Sequence, residues 1–282
     1  MKSQFEKAVM FRELHRRRNV FVTPNPWNAG TAILLEQLGF PALATTGAGF
    51  AFSCGQPDNS VGRQRMMVHL REIVAATDLP VSADLENGFG DTPEEVARTI
   101  LLAAETGVVG GSIEDSPGQP GSPLYPISLA VERIHAAVEA ARSLPFPFTL
   151  TARAENYYVC SKPDLTDTLR RLNAYQEAGA DVLFAPGMTR KEEIETLVAA
   201  VRQPVNVMMG FPRPGFGLAE LNAMGVQRVS VGGSLARAAI GAFLRAAQEI
   251  RSAGIFDYAD AAAEGRELNR RFALQKTDAS TG

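Results

Sequence analysis

Short β-branched or apolar runs recur along the chain, each closing in a polar or glycine-rich turn and followed by a stretch with helical spacing. The runs occupy residues 19–24, 41–46, 80–86, 108–115, 148–153, 182–186, 204–209 and 228–232, so eight strands are predicted. Helices are predicted between them at 29–38, 93–106, 127–141, 165–178 and 190–201, with one more before the first strand at 4–17. Several stop at a glycine suited to a left-handed cap: Gly39, Gly107, Gly179 and Gly225. The runs 182–185 and 205–209 are apolar throughout except at Asn206, as in strands covered on both faces, and that implies parallel pairing.

Eight β/α units in about 250 residues predict a (β/α)8 TIM barrel. A doubly wound sheet would place a Gly-x-Gly-x-x-Gly turn after its first strand, and none occurs here. Helical sequence at 4–17, 235–251 and 258–274 exceeds what a minimal barrel needs, and the C-terminal surplus suits packing on a neighbouring subunit. With no low-complexity linker or short repeat, one domain over 1–275 and a disordered tail over 276–282 are expected.

Composition narrows the function classes. The 282 residues carry 28 Lys+Arg against 31 Asp+Glu, a formal charge of −3, which offers no footprint for nucleic acid or an anionic membrane. No apolar window approaches the roughly 20 residues of a membrane span, and the N-terminus lacks a secretory signal, so a cytoplasmic protein is expected. The two cysteines, Cys54 and Cys160, have no metal-type spacing and read as free thiols.

In a barrel, chemistry sits just past the C-terminal ends of the strands, and there the chain is acidic. The third run ends Asp84-Leu85-Glu86, the fourth ends Glu114-Asp115, and the loop after the second reaches Asp58. Asp84 and Glu86, two apart on a strand, are expected to project the same way. With Glu114 next door and Asp58 folding over, they would repel one another unless a cation lay between them. Oxygen ligands favour Mg²⁺, with Mn²⁺ as the alternative, and Mg²⁺ keeps several waters, so one direct carboxylate and three water-holding ones are expected. A second reading of the same residues pairs Asp84 and Glu86 with Arg153 as an ionic layer of the barrel interior; otherwise Arg153 binds a substrate carboxylate or enolate oxygen.

His15, His69 and His135 all fall in helical stretches away from the strand ends. Proton transfer is therefore left to a carboxylate such as Glu114, a tyrosine such as Tyr157 or its neighbour Tyr158, or a metal-bound water. The stretch Thr46-Gly47-Ala48-Gly49 is read either as an anion-binding set of backbone N–H groups or as a plain tight turn.

The sequence resembles the isocitrate lyase and phosphoenolpyruvate mutase superfamily from about Phe21 to Ala239. The resemblance rests on Gly39-Phe40-Pro41-Ala42, Thr46-Gly47-Ala48-Gly49, Gly55-Gln56-Pro57-Asp58, the 82–90 segment Ser-Ala-Asp-Leu-Glu-Asn-Gly-Phe-Gly, Ser112-Ile113-Glu114-Asp115, Thr151-Ala152-Arg153, the 174–181 segment and Pro204-Val205-Asn206. It implies a Mg²⁺-dependent barrel, often a homotetramer that swaps its last helix between subunits, acting on 2-oxo acids or their enolates. It further implies Asp84 as the direct metal ligand, with Asp58, Glu86 and Glu114 holding metal-bound waters. Thr46, Gly47 and Ala48 would bind the oxo-acid carboxylate through backbone N–H groups, Arg153 would stabilise the enolate oxygen, and Asn206 would meet a second substrate carboxylate.

The departures are equally specific. The loop at 116–125 lacks the cysteine that the lyases carry there, Pro186 and Gly187 stand where phosphonate-handling members have His and Ser, and Ala44 replaces a common aromatic residue that Trp27 or Phe50 would have to supply. The expected activity is a Mg²⁺-dependent lyase that cleaves or forms the C–C bond beside the carbonyl of a small 2-oxo or 2-hydroxy dicarboxylic acid through an enolate. The alternatives are a phosphonomutase or phosphonopyruvate-type hydrolase acting on a P–C bond, or an oxo-acid binding protein without turnover.

Overall fold

The computed structural model describes residues 2–118, 123–211 and 215–278. Eight parallel strands lie inside the eight predicted runs: β1 (Phe21–Thr23), β2 (Leu43–Ala44), β3 (Val81–Asp84), β4 (Gly110–Glu114), β5 (Thr149–Arg153), β6 (Val182–Phe184), β7 (Val205–Met208) and β8 (Arg228–Ser230). They pair in the order β1-β8-β7-β6-β5-β4-β3-β2. The seam between β1 and β2 is bridged by Ala44 N–H donating to the Pro24 carbonyl at 3.1 Å, which nearly closes the (β/α)8 barrel.

The helices are α1 (Gln4–Arg16), α2 (Ala29–Gln37), α3 (Gly47–Ser53), α4 (Arg63–Ala75), α5 (Pro93–Ala104), α6 (Ile127–Arg142), α7 (Asn156–Val159), α8 (Leu165–Glu177), α9 (Lys191–Ala200), α10 (Leu218–Ala223), α11 (Ser234–Ala253) and α12 (Gly265–Asp278). Capping explains several boundaries. Ser3 and Glu6 close α1 with reciprocal side-chain bonds, and Thr92 and Glu95 do the same for α5, whose first residue is Pro93. The sequence pattern did not single out α3, α4, α7 or α10. In α4 the signal was present, since Met66, Leu70 and Ile73 recur on one buried face; α7 and α10 are too short to show a period. The single helix expected over 258–274 is divided into a 3₁₀ turn, Asp257–Ala261, and α12. The tail expected from residue 276 begins inside α12, and residues 279–282 lie outside the described residues.

The main apolar core lies between the strands and the surrounding helices, with Leu43, Leu70, Ile100, Ile113, Leu150 and Leu172 fully buried. A smaller core of Ala8, Phe11, Leu14, Phe21, Ala42 and Val109 joins α1 to the barrel's N-terminal end. The extra N-terminal helix is thus the barrel's floor. Gly110 makes this approach possible, because a Cβ there would stand 2.7 Å from the Thr149 carbonyl oxygen and 3.1 Å from the Phe11 ring. With that end plugged, the opposite mouth is left for chemistry. Among the described residues no helix is long and apolar enough to cross a membrane.

Candidate active site

One cavity of about 170 Å³ opens at the C-terminal ends of the strands. Asp58, Asp84, Glu86, Glu114, Arg153, Thr46, Ala48 and Asn206 all line it, so most of the site residues expected from sequence do converge. Asp58 is exposed at the rim, whereas Glu86 and Glu114 are buried.

Asp84 and Glu86 meet by a different route from the one expected. Strand β3 ends at Asp84, and Glu86 lies beyond it in the left-handed region at φ 50°, so the alternation of a strand does not apply. A non-glycine residue there is held at a conformational cost, as is common where a side chain must be aimed into a site. The turn brings Glu86 against α3: a Cβ on Gly47 would be 3.1 Å from Glu86 Oε1 and 3.4 Å from Asp84 Oδ2. Burial, then the neighbouring Asp84 and Asp58, pushes the Glu86 carboxyl up to about 8. Burial and Asp84 also raise Asp58, and burial drives Glu114 well above the carboxylate range although Arg153 opposes it.

Arg153, at the end of β5, ties the carboxylates together. Its Nη1 is 2.9 Å from Asp84 Oδ1, its Nη2 is 3.0 Å from Glu114 Oε2, and its Nε is 2.8 Å from Glu155 Oε1. Burial works against this charge, but Glu155, Glu114 and Asp84 outweigh it and hold the guanidinium well above its ordinary range. One face of the group lies 5.3 Å from the Phe184 ring centroid. Arg153 thus pairs with Asp84 as the ionic-layer reading expected, takes Glu114 and Glu155 in place of Glu86, and lines the cavity at the same time.

The glycine-rich segment is a helix start and not a tight turn. Thr46 caps α3 by accepting the Gly49 N–H at 3.1 Å, and Gly49 is confined because a Cβ would come 2.6 Å from Thr46 Cγ2. Gly47 departs from its expected role, since its N–H donates to Asp84 Oδ2 at 2.8 Å and so positions a carboxylate in place of a substrate. Ala48 lies in the first turn, whose N–H groups have no acceptor within the helix, and it faces the cavity. Asn206 lies deeper, donating from Nδ2 to Ser230 Oγ at 3.0 Å.

Tyr157 is not brought to the site. It packs against the core, and burial followed by Glu193, with which it is hydrogen-bonded, pushes its hydroxyl up to about 12. The short helix α7 turns the adjacent Tyr158 to the cavity instead. Sequence reasoning also missed Glu155, Ser230 and Arg228, all lining the same space. Glu155, two residues past Arg153, carried the same strand-end signal as Glu86. Asp115 belongs to a buried support behind the site: it accepts from Tyr175 Oη at 2.6 Å, Arg171 Nη1 at 3.0 Å and Glu155 N–H at 2.8 Å. Trp27 and Phe50 do not line the cavity, and Phe50 stacks on His69 at 3.7 Å. Residues 119–122 of the 116–125 loop lie outside the described residues.

Two observations bear on a metal ion. Five carboxylates line the cavity against two guanidinium groups, and among the described residues Glu86 Oε1 is a buried oxygen with no hydrogen-bond partner. Both suit a hard cation. Among the described residues, however, no three Asp, Glu, His or Cys side chains are placed to ligate one ion together, because Arg153 stands between Asp84 and Glu114. The donors fit an ion held by one carboxylate and by waters on the others, and not a four-carboxylate cage.

An acidic, arginine-bridged mouth on a (β/α)8 barrel defines an enzyme-type site at the strand ends. The sequence model of phosphoenolpyruvate phosphomutase matches residues 11–251, and the chain belongs to that family, within the isocitrate lyase and phosphoenolpyruvate mutase superfamily. A crystal structure from Burkholderia cenocepacia J2315, described as a lyase/mutase, is 60% identical with a TM-score of 0.94, covering 96% of this chain and 97% of that one. The 2-methylisocitrate lyase of Halalkalibacterium halodurans is 29% identical over 207 residues, covering 72% of this chain and 68% of the relative. Oxaloacetate acetylhydrolase in complex with its product oxalate is 26% identical with a TM-score of 0.86, covering 98% of this chain and 97% of that one. The named relatives are thus enzymes, a 2-methylisocitrate lyase and an oxaloacetate acetylhydrolase among them.

Proposed function

We propose that this chain is a Mg²⁺-dependent lyase that cleaves or forms the C–C bond beside the carbonyl of a small 2-oxo or 2-hydroxy dicarboxylic acid. The observation that carries the reading is the unpartnered, buried Glu86 Oε1 beside Asp84, in a cavity whose carboxylates outnumber its cations. Asp84 would hold the ion directly, and Asp58, Glu86 and Glu114 would hold its waters. The ion, Mg²⁺ or Mn²⁺, supplies positive charge that offsets the charge developing on a substrate oxygen.

The protein's own groups account for the rest. In cleavage of a 2-hydroxy acid the hydroxyl gives up its proton and becomes a carbonyl as the C–C bond breaks, the electron pair stays on the other fragment as an enolate, and the Arg153 guanidinium donates to the enolate oxygen. Thr46 and Ala48, at the start of α3, orient the oxo-acid carboxylate, and the partial positive charge of a helix N-terminus favours it there. Since Tyr157 faces away, Glu114 and Tyr158 are the groups that exchange protons at the cavity. Pro186 lines the cavity and Gly187 packs against the Tyr157 backbone, so neither offers the side chain that P–C bond chemistry would require.

We also read the apolar face of the C-terminal segment as an inter-subunit surface of a homotetramer. Phe243, Leu244 and Phe256 are 68%, 58% and 61% exposed on the single chain. The test of the catalytic reading is a panel of 2-oxo and 2-hydroxy dicarboxylates with Mg²⁺, run beside Asp84→Ala. Release of a small 2-oxo acid by the wild type and not by the variant is the expected result. Equal behaviour of the two on every compound that is turned over would refute the assignment of Asp84.

A further inference from the structure

Arg228 opens β8 with its side chain inside the barrel and only 4% exposed. It donates from Nε to Asn206 Oδ1 at 2.9 Å and from Nη2 to Thr151 Oγ1 at 3.1 Å, and Nη1 faces His15 Nε2 at 3.5 Å. His15 Nδ1 lies 2.9 Å from the Phe11 carbonyl oxygen, which can only accept, so the ring proton sits on Nδ1 and Nε2 turns its lone pair to the arginine. Every partner is neutral. Burial, opposed by no carboxylate, lowers the Arg228 guanidinium to about 9.

A buried cation without a counter-charge is a poor structural device, since a well-packed apolar side chain would serve the barrel interior at least as well. Its effect on its neighbours is specific. Because Asn206 Oδ1 accepts from Arg228, the amide can turn only its Nδ2 toward Ser230, and it donates to Ser230 Oγ at 3.0 Å. Ser230 Oγ is therefore an acceptor in that bond, and its own proton is free to be donated elsewhere. The relay leaves the Ser230 hydroxyl and the second Asn206 N–H as donors, with an unpaired positive charge behind them. All three residues line the cavity that holds Asp84 and Arg153.

We propose that Arg228 is a specificity-determining positioning residue: it fixes the Asn206–Ser230 pair as donors and makes the inner end of the cavity select a substrate with a second carboxylate over its mono-anionic analogue. This rests on the oxo-acid reading of the site and adds to it the residue that enforces the choice of a dicarboxylate. The resemblance to known lyases assigned a second carboxylate only to Asn206.

The experiment titrates the full chain, saturated with Mg²⁺, with three probes by calorimetry: oxalate, which spans only the outer site, malate, and lactate, which is malate without its second carboxylate. Wild type is expected to bind malate at least about tenfold more tightly than lactate, as a charge-assisted pair implies. In Arg228→Gln the ratio should fall to within about twofold, with oxalate affinity unchanged, a split that a general loss of structure would not produce. An unchanged ratio in the folded variant overturns the proposal, as does a wild type that binds oxalate but shows no preference for malate. A wild type that binds none of the three refutes the oxo-acid reading itself and this proposal with it. Should Arg228→Gln not fold, Ser230→Ala decides: lower malate affinity with lactate unchanged supports the relay, and unchanged malate affinity overturns it.

Discussion

Gly47 donates its backbone N–H to Asp84 Oδ2 at 2.8 Å, locking the first residue of α3 to the last residue of β3. The bond uses one oxygen of Asp84 while Arg153 takes the other. In Gly47→Ala the new methyl would press on Glu86 Oε1 at 3.1 Å and stand in contact with Asp84 Oδ2 at 3.4 Å. We expect the Mg²⁺ concentration for half-maximal thermal stabilisation to rise about tenfold, as when a group supporting a metal ligand is disturbed. An unchanged Mg²⁺ midpoint would show that this contact does not position the carboxylates.

Arg153→Met leaves Asp84, Glu114 and Glu155 without their shared cation. Stripping one partner from a buried ion-pair set costs about 3–5 kcal/mol, so the urea midpoint at neutral pH should drop sharply. Added Mg²⁺ should recover part of that loss by replacing positive charge. A variant as stable as wild type without metal would mean that the carboxylates are protonated there.

Two buried histidines set an acid limit. Burial, then Arg228, lowers His15 to about 3, and burial lowers His69 to about 4, from an unfolded value of 6.5. Below 6.5 the unfolded chain takes up protons that the folded chain refuses, so the stability these groups contribute is present above 6.5 and declines as pH falls toward 4 and 3. His69 stacks on Phe50, and His69→Gln should flatten the decline by about 1–2 kcal/mol between pH 6.5 and 4. Parallel stability curves for variant and wild type across that window would exclude His69 as a source.

Tyr175→Phe removes a 2.6 Å donor from the buried Asp115 carboxylate, which also holds the Glu155 N–H. A loss of about 1–3 kcal/mol is expected from chemical denaturation. Turnover should fall as well, because Glu155 is a partner of Arg153. Lost stability with full turnover would separate the support network from the site.

Phe243→Glu places a charge on the most exposed large apolar residue of α11. Light scattering should report a tetramer for wild type and smaller particles for the variant. A monomeric wild type would overturn the assembly.

The sequence by itself determined the eightfold alternation, since strands covered on both faces must be apolar and helices between them must be amphipathic; all eight strands fall within the predicted runs. It also placed Asp84, Glu86, Glu114 and Arg153 at strand ends and Asp58 in the loop after the second, which in a barrel meet at one mouth, whereas Asn206 was reached only through the family resemblance. What only the tertiary structure decided was direction. Period-two alternation put Asp84 and Glu86 on one face, yet a left-handed turn at Glu86 is what joins them, and the one-residue choice between Tyr157 and Tyr158 depends on the four-residue helix α7. Gly47 was legible as a donor but not as one already engaged, because the acceptor, Asp84, is 37 residues away. Arg228 was invisible for the same reason: its meaning lies in the neutrality of Asn206, Thr151 and His15, three residues far apart in the chain and packed around one charge.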